Sequence, residues 1–198
     1  MGKALPHGSK LGQYTIERVL QRTGLSEIYE AQAEGAGEGR PYRIAVFRVD
    51  PTGEPWQRFE KECQALKALG HPAIAEVREL AVSPDGTPYV VYALPAGEDL
   101  AARLRRAGAL TTREALALAR QVASALHASH GVEQLHRDLT PESLFLSPAP
   151  TPSAPPPAEV SVSGPVVAPG FERAVVMGFG VSRMLEAAVE GTLLVGRA

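Results

Sequence analysis

Two stretches near the start of the chain, Tyr14 to Leu20 and Ser26 to Gln32, alternate apolar and polar residues with the period of half-buried strands. The turn-prone Gln21-Arg22-Thr23-Gly24 lies between them, so the pair predicts a hairpin. Beyond the loop Glu34-Gly35-Ala36-Gly37-Glu38-Gly39, the segment Tyr42 to Val49 is rich enough in Ile, Val and Phe for a third antiparallel strand. Pro51 to Pro55 breaks the pattern. From Trp56 to Leu69, Phe59, Cys63 and Leu66 recur at i, i+4 and i+7, which predicts an amphipathic helix ending at Gly70-His71-Pro72. Ile74 to Val82 and Tyr89 to Leu94 read as two more strands, joined by a turn at Pro84-Asp85-Gly86. Thr111-Thr112-Arg113-Glu114 then has the form of a capping box before a long helix with Leu118, Val122 and Leu126 on one face. The expected architecture is α+β: a five-stranded antiparallel sheet with one helix, followed by a mainly helical part.

Between Ser147 and Ala158 six of twelve residues are proline, a density that disfavours helix and sheet interior and predicts an exposed, extended insertion. The Pro152-x-x-Pro155 spacing suits an SH3-like groove, but in proline-rich linkers such spacing arises by chance, and the linker reading is preferred. With 198 residues, 44% of them hydrophobic and 21% charged, the chain has the composition of a globular protein. Its net charge of -2 supplies no basic excess to attract a nucleic-acid backbone or an anionic membrane. The single cysteine, Cys63, excludes an intrachain disulfide framework and a paired-cysteine zinc site. No apolar run reaches the ~20 residues of a membrane helix, and the N-terminus lacks a signal-peptide apolar region. A cytoplasmic location is expected, with neither nucleic acid nor membrane as partner.

The run His136-Arg137-Asp138-Leu139-Thr140-Pro141-Glu142-Ser143-Leu144-Phe145-Leu146 resembles the catalytic loop of protein kinases, and the elements above come in that family's order. The similarity is closest to bacterial-type serine/threonine kinases. Leu11-Gly12-Gln13-Tyr14, Arg58-Phe59-Glu60-Lys61-Glu62, Gly70-His71-Pro72, Leu94-Pro95-Ala96-Gly97 and Gly178-Phe179-Gly180 follow in register, so matches run from about Leu11 to Thr192. The resemblance implies an N-terminal tail over residues 1–10, a kinase-like N-lobe over 11–94 and a partial C-lobe over 95–198, with the proline-rich insertion at 147–170 inside a hairpin. It also implies that the chain stops inside the activation segment, before the Ala-Pro-Glu motif. Either the sequence is a piece of a longer chain, or it is a shortened relative whose exposed helix face is covered by a partner or by self-association.

Phosphoryl transfer depends almost entirely on positioning and charge neutralisation, and most of the groups the family uses are replaced. The three glycine positions of the phosphate-binding hairpin read Gln21, Thr23 and Ser26. The lysine expected at the end of the third strand is Phe47. The two metal ligands read Ser143 and Gly178, and the lysine two residues after the catalytic aspartate reads Thr140. Asp138, a vestigial base, remains beside His136 and Arg137. Glu62 stands where the lost lysine's partner is expected, to face Arg48 or solvent, with an exposed helix glutamate the more usual reading. Arg48 could supply the lost charge only through a one-residue slip of the strand.

By resemblance, Ile28 and Ala45 sandwich an adenine from above, Tyr92 and Ala93 form the back wall and hinge, and Phe145 lies below, where it can plug the pocket. Plain core packing accounts for the same residues and is preferred to nucleotide contact. Leu66, His136 and Phe179 match a stack through the kinase core. The reading is a catalytically impaired, pseudokinase-like domain that binds a protein partner or itself, as scaffold or allosteric regulator. No cofactor is expected: ATP would bind weakly and magnesium is not anticipated. The alternatives are a weakly active or atypical serine/threonine kinase, and a metal-independent nucleotide sensor.

Overall fold

The computed structural model describes residues 5–34, 41–93, 97–148 and 172–195, with side chains up to residue 190. Six strands, β1 (Lys10–Leu11), β2 (Tyr14–Arg22), β3 (Ser26–Ala33), β4 (Tyr42–Phe47), β5 (Glu76–Val82) and β6 (Pro88–Ala93), form one antiparallel sheet in the order β1-β2-β3-β4-β6-β5. The sequence pattern predicts five of them. The sixth, β1, is a two-residue edge strand too short to show a period, and it pairs Lys10 and Leu11 with Thr15 and Tyr14. Just before it, the Leu5 amide donates to the Tyr29 hydroxyl at 3.0 Å, tying the start of the chain to the sheet.

Strand alternation assigns the two faces. Tyr14, Ile16, Tyr29, Ile44, Val46, Tyr89 and Val91 bury together on one side of the sheet. Ala45, Phe47, Val90 and Tyr92 point to the other. There they meet helix α1 (Glu54–Leu69), whose Trp56, Phe59 and Cys63 are buried. Phe47 packs at 5.8 Å from Phe59 and 6.1 Å from Trp56, ring centroid to centroid, a tilted aromatic cluster of the kind that contributes beyond area burial alone. The helix starts two residues before the predicted Trp56, because Pro55 in the first turn has no intrahelical amide to lose. It ends at Gly70 with φ 59°, the left-handed cap a glycine adopts readily.

The second half holds α2 (Leu100–Ala107), α3 (Thr112–His130) and α4 (Val181–Val195), and also a three-stranded sheet of β7 (Glu98–Asp99), β8 (Leu144–Ser147) and β9 (Arg173–Val176). The predicted cap is formed: the Glu114 amide donates to Thr111 Oγ1 at 3.2 Å and the Thr111 amide to Glu114 Oε2 at 2.7 Å. Of the insertion read at 147–170, Ser147 belongs to β8, and residues 149–171 lie outside the described residues. Buried Gln121 of α3 fastens the far side of that hairpin, donating to the Glu172 carbonyl and accepting from the Ala174 amide, both at 3.0 Å. Gly97 precedes β7 at φ 155°, so close to β8 that a Cβ there would stand 1.9 Å from the Leu146 carbonyl oxygen. Ile74, read as the start of a strand, bridges instead to Val176, and so joins the first sheet's connection to β9. No helix among the described residues is long and apolar enough to cross a membrane.

Candidate functional site

A cleft of about 200 Å³ lies between the inner face of the large sheet and the segment that carries His136 and Asp138. Gln21, Thr23, Ser26, Ile28, Ala45, Phe47 and Tyr92 line it from the sheet side; Asp138, Thr140, Ser143 and Gly178 line the opposite side. The β2–β3 turn is held by its own side chains. Thr23 Oγ1 and Ser26 Oγ lie 2.9 Å apart, and the Ser26 amide donates to Thr23 Oγ1 at 2.9 Å. These hydroxyls fill the place where a glycine turn would expose amides. Phe47 is 1% exposed and committed to the aromatic cluster.

The groups below the cleft are also engaged. Ser143 Oγ donates to the Thr140 carbonyl at 2.8 Å and accepts the Thr140 amide at 3.0 Å, so its hydroxyl serves the backbone. Gly178 has φ 83° and offers no ligand, although a Cβ there would meet nothing within 4 Å. His136 is buried; its Nε2 lies 2.7 Å from the Met177 carbonyl, which can only accept, so Nε2 carries the proton. Its ring meets Phe179 edge-on at 4.8 Å, and burial holds its pKa below the ordinary histidine value. Phe179 in turn shares a buried cluster with Leu66. Arg137 adopts φ 65°, a left-handed conformation uncommon for a side-chain-bearing residue. Asp138 is exposed to the cleft and accepts the Ser182 hydroxyl of α4 at 3.4 Å.

Three expectations are corrected. Glu62 faces neither Arg48 nor solvent. It is buried and pairs with Arg183 Nη1 of α4 at 2.9 Å and with Arg58 Nε at 3.5 Å, and burial pushes its carboxyl above the usual range. Arg48 follows the inward Phe47 and therefore points to the opposite face, where its Nη2 reaches Glu27 Oε1 at 2.6 Å. Burial resists ionisation of Glu27, yet Tyr29, Arg22 and Arg48 together hold its carboxyl below the ordinary value. Phe145 is buried but does not bound the cleft, because Arg43 lies over its ring, with Cζ 5.2 Å from the centroid. Ala93 is half-buried, pairs with Tyr42 and Glu76, and does not line the cleft; residues 94–96 beyond it lie outside the described residues.

Motif and pattern in the sequence do not single out Arg43, Ser182 or Arg183. Arg43 shares the inward parity of Ala45 and Phe47, a signal present in the strand's alternation. Arg183 carries no local signal, because its partner lies 121 residues away. Among the described residues, no group of three His, Cys, Asp or Glu side chains is placed to hold a metal ion. A magnesium nucleotide would need a carboxylate and a cation facing the phosphates. At the positions where the resemblance expects those groups, Gly178 supplies no carboxylate and Phe47 no charge, while the carboxylates that line the cleft are Asp138 and Glu142 and its cation is Arg43.

The family "Protein tyrosine and serine/threonine kinase" matches residues 14–152. The chain is 32% identical over 142 residues to the serine/threonine-protein kinase PknE of Mycobacterium tuberculosis, covering 71% of this chain and 25% of that protein. It is 31% identical over 143 residues to PknA of the same organism, covering 69% of this chain and 33% of that protein. The chain thus spans a quarter to a third of the length of these curated relatives. Crystal structures of the M. tuberculosis PknI kinase domain superimpose with TM-scores of 0.61 and 0.63 at 26% and 25% identity, covering 90% of this chain and 64% and 62% of theirs. By motif, match and fold, the chain belongs to the protein kinase family as a bacterial-type serine/threonine kinase-like domain.

Proposed function

We propose that this chain is a pseudokinase: a catalytically impaired kinase-like domain that acts by binding, as scaffold or allosteric regulator of a protein partner in signalling. The observation that carries the reading is the rerouting of Glu62. The carboxylate that the resemblance pairs with a strand lysine is engaged by Arg183 and Arg58, while the strand position holds a buried phenylalanine. Restoring the cation would therefore require the core and α4 to rearrange together. The carboxylate-free Gly178 and the backbone-bound Ser143 hydroxyl support the same conclusion. Leu116, Leu135 and Leu139 are large apolar side chains left 62%, 50% and 42% exposed, and they offer surface to a protein partner or a second copy.

The test is phosphotransfer from labelled ATP to the chain itself and to a generic protein substrate, with magnesium and with manganese, beside Asp138→Asn. The reading expects wild type and variant to be indistinguishable from a no-protein blank. Transfer abolished by Asp138→Asn would overturn it in favour of a weakly active serine/threonine kinase. One observation favours that second reading: Asp138 keeps its place on the cleft, hydrogen-bonded to a serine hydroxyl as a base is to an acceptor.

A further inference from the structure

Away from the cleft, and sharing none of its lining residues, a cavity of about 250 Å³ opens between α2, α3 and the β8–β9 hairpin. Leu110, Leu118 and Leu146 give it an apolar wall, and Arg103, Glu114 and Glu172 bring charge to it. The Arg103 side chain is 15% exposed, and its Nη1 is buried with no hydrogen-bond acceptor. Arg103 Nη2 stands 3.6 Å from Glu114 Oε1, an ion pair but too long for a hydrogen bond. Both bonds that Glu114 accepts from Thr111 fall on Oε2, which leaves Oε1 to that long pair.

An orphaned guanidinium nitrogen calls for an explanation, because a buried donor without an acceptor loses its hydration and gains nothing in return. Arginine cannot shed its proton to escape that cost. Glu114 is equally committed to its charge: the Thr111 amide and hydroxyl, with Arg103, hold its carboxyl below the ordinary glutamate value. The cavity therefore sets a permanent cation and a permanent anion side by side against three leucines, with one donor and one acceptor oxygen of that pair left without a hydrogen bond.

We propose that this cavity binds a free α-amino acid with an apolar side chain. Such a molecule carries its carboxylate and its ammonium on one carbon, so its two charges are spaced as closely as those of Arg103 and Glu114. The carboxylate accepts from Arg103 Nη1, the ammonium donates to Glu114 Oε1 with exposed Glu172 adding negative charge at the rim, and the side chain lies against Leu110, Leu118 and Leu146. The size agrees, since about 250 Å³ is the share of roughly eight waters at ~30 Å³ each and falls just below the ~300–1,000 Å³ of drug-sized ligands. Other ligand classes fit less well. A plain anion meets two carboxylates for one guanidinium, and a plain cation leaves Nη1 unpaired. A metal ion lacks a group of three ligating side chains among the described residues. No cleft residue takes part, so the proposal does not depend on the pseudokinase reading.

The experiment titrates L-leucine into the 198-residue chain and into Arg103→Met and Glu114→Gln, reading Kd by calorimetry. Two further probes, 4-methylpentanoate and 3-methylbutylamine, are leucine without its ammonium and without its carboxylate. Methionine keeps the apolar stem of Arg103 and removes its donors. Glutamine serves a capping box as glutamate does, so Glu114→Gln keeps the α3 cap and removes the charge. The expected result is leucine binding to wild type at millimolar concentration or below, at least ~10-fold more weakly to Arg103→Met, and more weakly to Glu114→Gln, as loss of a hydrogen bond to a charged group requires. Both truncated probes should bind wild type at least ~10-fold more weakly than leucine does. No binding of leucine to wild type overturns the proposal, and so does an unchanged leucine affinity in either folded variant. If either truncated probe binds as tightly as leucine, the site takes a plain anion or a plain cation and the amino-acid assignment is overturned. If Arg103→Met does not melt cooperatively, Glu114→Gln alone decides. Phosphotransfer plays no part in any of these outcomes, so they leave the pseudokinase reading untouched.

Discussion

Replacing Arg183 by alanine removes the nearest of the cations around Glu62, leaving Arg58 in an ion pair and Arg137 within electrostatic reach. The carboxylate side chain is 8% exposed, and Arg58 remains with its Nε at 3.5 Å, itself more than half exposed. Stripping a buried ion of its only partner costs about 3–5 kcal/mol, whereas a partly exposed partner with a remaining neighbour costs less, here about 1–3 kcal/mol. For a domain of this size that corresponds to a fall in Tm of roughly 2–10 °C. A double-mutant cycle with Glu62→Gln isolates the pair: Arg183→Ala should cost about 1–3 kcal/mol with Glu62 present and under about 0.5 kcal/mol with glutamine there. The pH dependence has a defined sign. Because burial raises the Glu62 pKa in the folded chain, the folded state binds that proton more tightly than the unfolded state. Glu62's contribution to stability is therefore fullest below its unfolded value near ~4.3 and is lost as pH rises through the raised folded value. The cost of Arg183→Ala must grow over the same window, since only the ionised carboxylate needs the arginine. Urea unfolding of the four proteins at pH 5 and pH 7.5 reads both effects. An Arg183→Ala cost that is the same in the wild-type and Glu62→Gln backgrounds would refute the reasoning.

Phe47→Lys combined with Gly178→Asp should fail to restore phosphotransfer and should lower stability by about 3 kcal/mol or more. Its ammonium would be buried between Trp56 and Phe59 while Glu62 stays with Arg183; urea midpoints beside a labelled-ATP assay check this. Thr111→Ala should cost about 1 kcal/mol by breaking the α3 capping box, and Thr111→Ser should restore most of it, both read by thermal melts. Burial depresses the His136 pKa, so its contribution to stability is present above the unfolded value near ~6.5 and is lost as pH falls through the lower folded value. His136→Phe should flatten the stability profile below pH ~6.5, measured by urea unfolding at pH 7.5, 6 and 5; an unchanged slope would mean that His136 is not the group responsible.

The features legible in the sequence are the local ones. The Thr111–Glu114 box spans four residues and is formed as written, and the helix of Phe59, Cys63 and Leu66 buries the face its spacing marks. Alternation in Tyr42 to Phe47 is enough to turn Ala45 and Phe47 inward and to send Arg48 to Glu27 on the other face. The same alternation holds Arg43, which is easily passed over when a strand is read for its apolar residues alone. The strands β7 to β9 are two to four residues long, below the length at which a period shows, and they form because each finds a partner across the fold. Glu62, three residues after Phe59 and next to Cys63, lies on the face that the helix spacing marks as buried, but nothing in the helix indicates that α4, more than a hundred residues on, brings Arg183 to it. Phe47, Gln21, Thr23, Ser26, Ser143 and Gly178 are visible in the sequence at the positions where the resemblance expects lysine, glycines and metal ligands. That Glu62 pairs with Arg183 and Arg58, and that the Ser143 hydroxyl bonds the Thr140 backbone, is visible only in three dimensions.

The central claim is that this cleft no longer handles a magnesium nucleotide. Its most direct test is the melting temperature of the 198-residue chain with millimolar ATP, with and without magnesium. A ligand at 100 times its Kd stabilises by about 2.7 kcal/mol, a shift of several degrees in a domain of this size. The account predicts a cooperative melt that magnesium does not move in the presence of ATP, and a magnesium-dependent rise of several degrees would contradict it.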